Sequence, residues 1–321
     1  MRILFIGDPH IKTDNHDEIN ILLLQLESIC EEQKVDRIII GGDLMHYHER
    51  IFTQALNKTL EFVTRLSLKC PVDILVGNHD MINNQQFLNS NHWLNVFQSY
   101  HHVTVIDKPI KRILKDFVYL LCPYVYPGRF IEALETLGEW KQCNMIFAHQ
   151  EFKGCKMGAI VSTEGDDWKA EYPQVISGHI HDNQTVNNIY YPGSPLQHAF
   201  GDTDKRVVCI IENGDIRDIE LDVPKKKMVK TSIKDLSANI KSSVLSNCLK
   251  IKLKATVEEF KIFKQTNEYK DYVDKGVKIQ LDKIESKDIP QLQETSFQSI
   301  LYHLIESDGD SLLRKIYNEI K

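Results

Sequence analysis

Short apolar runs that stop at a glycine or a polar cluster recur along the first two thirds of the chain, with helical stretches between them. Met1–Gly7 reads as a strand ending at Asp8-Pro9-His10. Ile19–Glu32 then places apolar residues at 19, 22, 23, 26, 29 and 30, the roughly 3.6-residue rhythm of a helix, and Val35–Ile40 follows as a second buried strand. This order predicts a βαβ unit with a parallel sheet. The second strand runs into Gly41-Gly42-Asp43-Leu44-Met45-His46, and a helix over Thr53–Leu68 leads to a third, Val72–Val76, which stops at Gly77-Asn78-His79-Asp80. Open α/β sheets hold their ligands beyond such carboxyl ends.

The same reading predicts a helix over Gln85–Tyr100, strands at Val103–Ile106, Arg112–Leu114 and Phe117–Cys122, and a helix over Phe130–Trp140. Asn144–Ala148 and Val175–Ser177 are short strands that end at His149-Gln150 and at Gly178-His179-Ile180-His181. Ile189–Tyr191 enters Pro192-Gly193-Ser194-Pro195, and Glu212-Asn213-Gly214 turns a hairpin between Val207–Ile211 and Arg217–Leu221. A first domain over 1–222 is expected to close there. Strands at Met228–Ile233, Cys248–Leu253 and Val277–Ile284 predict a small α/β unit over 223–288. Its helix opens on the capping sequence Thr256-Val257-Glu258-Glu259 and stops before Gly276. Apolar-periodic helices over Phe297–Ile305 and Ser311–Ile320 occupy 289–321.

Composition is that of an ordinary globular protein of 321 residues. No segment approaches the ~18 apolar residues of a membrane span, and the N-terminal run is too short for a signal peptide, so a soluble protein is expected. Seven scattered cysteines without a Cys-x-x-Cys pair suggest neither a disulfide framework nor a zinc knuckle, and fit a reducing cytoplasm. Charge divides unevenly. Residues 1–222 carry 20 Lys and Arg against 31 Asp and Glu, whereas 223–321 carry 19 against 14. Nine lysines lie between Lys225 and Lys254 with one acid, Asp235, which makes Lys225, Lys226, Lys227 and Lys230 candidates for a phosphate-facing, DNA-binding surface.

Asp8, His10, Asp43, Asn78, His149, His179 and His181 all sit at predicted strand ends, enough donors for two metals. Imidazoles mixed with carboxylate and amide oxygens suit Mn²⁺, Fe²⁺ or Zn²⁺, and the absence of cysteine among them argues against a structural zinc site. A two-metal centre is built for in-line displacement at a phosphoester. His16, His48, His92, His101, His102, His198 and His303 lie off the strand ends or lack such neighbours and receive no role.

Asp8-x-His10, Gly42-Asp43, Gly77-Asn78-His79-Asp80, His149 and Gly178-His179-x-His181, in that order, resemble the motifs of calcineurin-like metallophosphoesterases over residues 1 to about 222. The resemblance implies a two-sheet αββα sandwich. It also implies one metal on Asp8, His10, Asp43 and His181, and a second on Asp43, Asn78, His149 and His179, bridged by Asp43. Within that family, Gly41–His46, His149-Gln150, Tyr191–Pro195 and Phe200-Gly201-Asp202 resemble the SbcD-type nuclease subunits of DNA repair and their phage recombination counterparts. Such a subunit is an Mn²⁺-dependent DNA exonuclease and endonuclease. His79 would be its general acid, His46 would contact the phosphate, and a small capping domain would follow the nuclease core. Its terminal helices would bind an SbcC-type SMC-like ATPase. A homodimer is expected on the same ground, with Ile51–Leu66 and Gln85–Tyr100 supplying apolar surface, and a compact phage or viral form would work in the host cytoplasm. Two other readings compete: a phosphodiesterase for small molecules or cyclic nucleotides, which needs no lysine-rich second domain, and a non-catalytic scaffold for a partner ATPase.

Overall fold

The computed structural model of the chain describes residues 1–236 and 248–284, together with Ile305 and Tyr317. The expected helices over Phe297–Ile305 and Ser311–Ile320 lie, apart from those two residues, outside the described residues. The described chain separates into two compact units, one containing Met1–Met228 and the other built around Ile251–Asp274.

The first unit begins with β1 (Arg2–Ile6), α1 (His16–Gln33), β2 (Arg37–Ile40), α2 (Thr53–Ser67), β3 (Val72–Leu75) and β4 (Val103–Ile106). It continues with β5 (Ile110–Leu114), β6 (Phe117–Cys122), α3 (Phe130–Glu135), β7 (Met145–His149), β8 (Lys156–Met157), β9 (Ile160–Val161), β10 (Gln174–Gly178), β11 (Gln184–Val186) and β12 (Ile189–Tyr191). A final hairpin joins β13 (Val207–Glu212) to β14 (Asp215–Glu220). One sheet runs β14-β13-β1-β2-β3-β4 and the other β11-β12-β10-β7-β6-β5. β1 to β4 are parallel, and so are β6, β7, β10 and β12.

Alternation along each strand decides which layer a side chain enters. Ile3, Phe5, Ile39 and Leu75 pack against Tyr119, Leu121, Met145, Phe147 and Ile176 between the two sheets. Leu4, Ile6, Ile38, Ile40 and Ile74 face the opposite way, onto Leu22, Leu26, Phe62 and Leu66 of α1 and α2. On the other sheet, Leu120, Ile146 and Val175 cover Phe130 and Leu134 of α3 together with Trp140 and Trp168. Because the strands are apolar on both faces, each sheet must be covered twice, and the result is the αββα sandwich.

The second unit draws on β15 (Lys227–Ser232), β16 (Leu249–Ala255), α4 (Val257–Phe263), α5 (Asn267–Asp274) and β17 (Lys278–Lys283), with the strands in the order β15-β16-β17. Thr256 and Glu259 form the expected capping box. One expected helix is two, because Thr266 starts a second by accepting the Tyr269 N–H at 3.2 Å.

Other differences have local causes. Of the helix expected over Gln85–Tyr100, only Trp93–Ser99 is helical, as a tight 3₁₀ turn. Asn83 accepts the Gln85 N–H at 2.9 Å and Asn89 accepts the Asn91 N–H at 2.8 Å, so side-chain amides take the backbone donors a helix needs. The helix expected over Phe130–Trp140 stops at Glu135, and Gly138 (φ 77°) adopts a conformation a helix cannot continue. The short β8–β9 hairpin and β11 carry too few apolar residues to be read from periodicity.

Candidate metal centre

Parallel strands present their carboxyl ends at one edge, and both sheets of the sandwich do so on the same side. Asp8 and His10 follow β1, Asp43 follows β2, Asn78 and His79 follow β3, His149 ends β7, and His179 and His181 follow β10. His10 (φ 44°), Asp43 (φ 50°) and His179 (φ 77°) are left-handed, a conformation that costs on the order of 1–3 kcal/mol at a non-glycine residue. The cost is met by specific bonds: the N–H groups of His10, Asp43 and His179 donate to Asp43 O at 3.0 Å, Asp80 Oδ2 at 2.9 Å and Asp8 Oδ2 at 2.8 Å. Approach between strands is equally tight. A Cβ on Gly77 would lie 2.2 Å from Asp43 Oδ1, and one on Gly178 would lie 2.4 Å from Gly41 O and 2.5 Å from Asp8 Oδ1.

The side chains form two groups that share Asp43. In the first, His10 Nε2 is 3.6 Å from Asp43 Oδ2 and 3.0 Å from His181 Nε2, which is 3.8 Å from Asp8 Oδ2. In the second, Asp43 Oδ1 is 3.5 Å from His149 Nε2, Asn78 Oδ1 is 2.9 Å from both His149 Nε2 and His179 Nδ1, and those two nitrogens are 3.3 Å apart. Donors bound at about 2.0–2.2 Å to one cation lie about 3.0–3.5 Å from each other. All seven residues named from the sequence are brought together, in two groups whose neighbouring donor atoms lie from 2.9 Å to 3.8 Å apart, close to the spacing a shared cation sets.

Charge makes the same point. Asp8 and Asp43 are buried to 0% and 2% exposure, and Asp8 Oδ1 has no hydrogen-bond donor. Burial, with Asp43 adding its own negative charge, pushes Asp8 up to about 8 even though His149 pulls it down. Burial works on Asp43 in the same sense, but His149, His79 and His179 outweigh it and hold this carboxyl below the usual range. Against its own desolvation, His149 is pushed up to about 9 by Asp43 and Asp8. Burial, followed by the neighbouring rings of His198 and His181, keeps His10 well below its ordinary value. Burial thus drives Asp8 toward its neutral form and makes Asp43 depend on a protonated His149, and divalent cations held by these donors would supply the positive charge in place of those protons.

Hydrogen bonds behind these donors aim them. His149 Nδ1 donates to Gly41 O at 2.6 Å, which turns Nε2 toward Asp43 and Asn78. His79 Nδ1 donates to His46 O at 2.5 Å, leaving Nε2 facing the cleft 4.0 Å from Asp43 Oδ2. Burial, with Asp43 opposing, lowers the His79 pKa. The His46 ring is 5.2 Å from that of His10, and burial followed by the charge of Lys12 brings it down to about 4. Asp80 accepts the N–H groups of Asp43 at 2.9 Å and Gly77 at 3.0 Å and the indole of Trp93 at 3.0 Å, tying the β2 and β3 loops together.

Two histidines left without a role in the sequence are also here. His48 stacks on His79 with centroids 4.2 Å apart, and His198 lies 4.6 Å from the His10 ring and bonds Asp8 O at 3.2 Å. His46-Tyr47-His48 spacing was a signal for the first. His198 arrives through a loop crossing that no local pattern encodes. Of the four lysines, Lys226 donates to His198 O at 3.2 Å, while Lys225, Lys227 and Lys230 are exposed. An open cleft of about 390 Å³ lies over the site, and its lining includes Asp43, Asn78, His79, His179 and His181 together with Lys156 and Met157.

Comparison with known proteins agrees with this geometry. Residues 1–183 match the family model for calcineurin-like phosphoesterases. The chain is 44% identical over 276 residues to "Putative phosphoesterase 244L" of Invertebrate iridescent virus 6, a match covering 82% of this chain and 97% of that protein. It is 37% identical over 333 residues to "Putative phosphoesterase 078R" of Invertebrate iridescent virus 3, covering 98% and 94%. A family match over more than half of the chain and two relatives matched over nearly their full lengths make this chain a member of the calcineurin-like phosphoesterase family.

Proposed function

We propose that the chain is a two-metal, Mn²⁺-dependent phosphodiesterase that cuts DNA, the SbcD-type nuclease subunit of a repair or recombination complex. Phosphoester hydrolysis is supported by the family and by the names of both viral relatives. The observation that carries the two-metal reading is the division of Asp43 between two donor groups, Oδ2 toward His10 and Oδ1 toward His149. Asp8, His10, Asp43 and His181 would hold one cation, and Asp43, Asn78, His149 and His179 the other. Such a pair supplies a nucleophilic oxygen at neutral pH and neutralises charge on the phosphoryl oxygens during in-line displacement.

The chain's own residues do the rest. His79, anchored through Nδ1 and facing the cleft through Nε2, gives a proton to the leaving 3′ oxygen from its imidazolium form; its lowered pKa makes that form a stronger acid and a scarcer one at neutral pH, so Nε2 takes up its proton from solvent before each turnover. His46, beside His10 and His79, orients the phosphate. DNA as substrate is supported by the lysine-rich stretch from Lys225 to Lys254, with Lys225, Lys226, Lys227 and Lys230 as backbone contacts. An SbcC-type ATPase on 289–321, a homodimer and a place in the host cytoplasm complete the proposal, the last in keeping with the viral relatives.

The test is cleavage of an end-labelled DNA duplex with Mn²⁺, for wild type and His79→Ala. Wild type should degrade the duplex, and His79→Ala should bind Mn²⁺ with unchanged stoichiometry while cutting on the order of 10²–10⁴-fold more slowly. Hydrolysis of a chromogenic phosphodiester without any of DNA would point instead to a small-molecule phosphodiesterase. Hydrolysis of neither would leave a scaffold.

A further inference from the structure

A series of aromatic rings leads from the metal centre to solvent on one side. His79 is flanked by His48, stacked at 4.2 Å, and by His46, nearly parallel at 5.7 Å. His46 meets Tyr47 edge-on at 5.0 Å, and Tyr47 meets Phe52 at 5.0 Å. Tyr47 and Phe52 are 43% and 42% exposed as residues, beside a core that buries most of the other large aromatics of this unit. Exposed aromatic surface continuous with a catalytic site has a physical reason when the substrate covers it.

We propose that Tyr47 and Phe52 form a nucleobase-stacking subsite on the leaving-group side of the scissile phosphate. The inference rests on the phosphodiesterase reading above and narrows it. A leaving 3′ oxygen belongs to a sugar that carries a base. With His79 as the proton donor, that base lies one sugar away from His79, on the side where the ring series opens to solvent. Tyr and Phe faces accept any base, so the subsite selects for an unstacked base rather than for a sequence. The substrate it fits is a single strand or a frayed end, not the interior of a stacked duplex.

The test compares cleavage of a single-stranded oligonucleotide with that of a fully abasic strand of equal length, both with Mn²⁺, for wild type, Tyr47→Ala, Phe52→Ala and Tyr47→Phe. Wild type should prefer the strand with bases about tenfold or more, mainly through KM. Tyr47→Ala and Phe52→Ala should bring that ratio toward one, and Tyr47→Phe should keep it. Equal slowing of both strands by Tyr47→Ala, or a wild-type ratio near one, overturns the subsite and leaves the nuclease reading standing. If wild type cleaves neither strand yet hydrolyses a chromogenic phosphodiester, the nuclease reading falls and takes the subsite with it. Should the alanine variants turn a dimer into a monomer in sedimentation with the ratio intact, the rings are a contact between two copies of this chain and the proposal is wrong.

Discussion

At the scale of single residues, the centre depends on side chains that hold others in place. Asp80 shows this best. Its carboxylate is buried and accepts three donors, two of them the backbone N–H groups of Asp43 and Gly77, so it sets where Asp43 points without entering either donor group. Asp80→Ala leaves those donors unsatisfied and loosens the shared carboxylate. Mn²⁺ affinity measured by calorimetric titration should fall on the order of 10–100-fold, and an unchanged affinity would remove Asp80 from this role. Asp8, His10, Asp43, Asn78, His149, His179 and His181 were legible in the sequence because each follows an apolar run that a strand alone explains. His48 was marked only by its spacing from His46, and His198 not at all. The place of His198 depends on how loops fold back over the strand ends, and a local pattern carries no record of that.

At the scale of elements, the strands position the donors and the loops between them need their own anchors. Arg206, 1% exposed, donates to the carbonyls of His181, Ser194, Leu196 and Thr203 and lies 3.6 Å from Asp182 Oδ1. One guanidinium thus fixes both the loop carrying His181 and the loop carrying His198. Arg206→Ala would strand several buried carbonyls and should cost about 3–5 kcal/mol of stability, read as a lowered midpoint in denaturant unfolding. A loss below about 0.5 kcal/mol, the level of an ordinary surface substitution, would show that the loops hold without it. Periodicity reads α1 and the buried strands well, since both are set by what they bury. It misreads the 85–92 segment, where Phe87 and Leu88 continue the apolar spacing of Trp93 and Leu94 while asparagine side chains occupy the backbone.

At the scale of the whole molecule, the sandwich gathers negative charge at one edge and so couples its stability to metal and to pH. Asp8 is raised from the ordinary carboxyl value to about 8, and His149 is raised to about 9. A carboxyl whose folded pKa exceeds the unfolded one binds its proton more tightly when folded, so stability is lost as pH rises toward that value. A raised histidine contributes stability that is lost as pH climbs through its folded pKa, and both effects act in the same direction. The lowered histidines, His10, His46 and His181, act in the opposite sense only below about pH 6.5, their ordinary value. Protein treated with chelator should therefore show a melting temperature that declines between about pH 7 and 9, and saturating Mn²⁺ should flatten the decline. A chelated protein with no decline would show that the buried pair is balanced by the chain itself. Among the described residues, no helix is long and apolar enough to cross a membrane.

The proposed centre depends on one carboxylate, Asp43, serving two cations, and electron paramagnetic resonance of the Mn²⁺-loaded protein decides whether it does. Two ions per chain with an exchange-coupled signal, lost in Asp43→Asn while circular dichroism shows the fold intact, is the result predicted. A single ion per chain, or two ions whose spectra are those of isolated Mn²⁺, would contradict it.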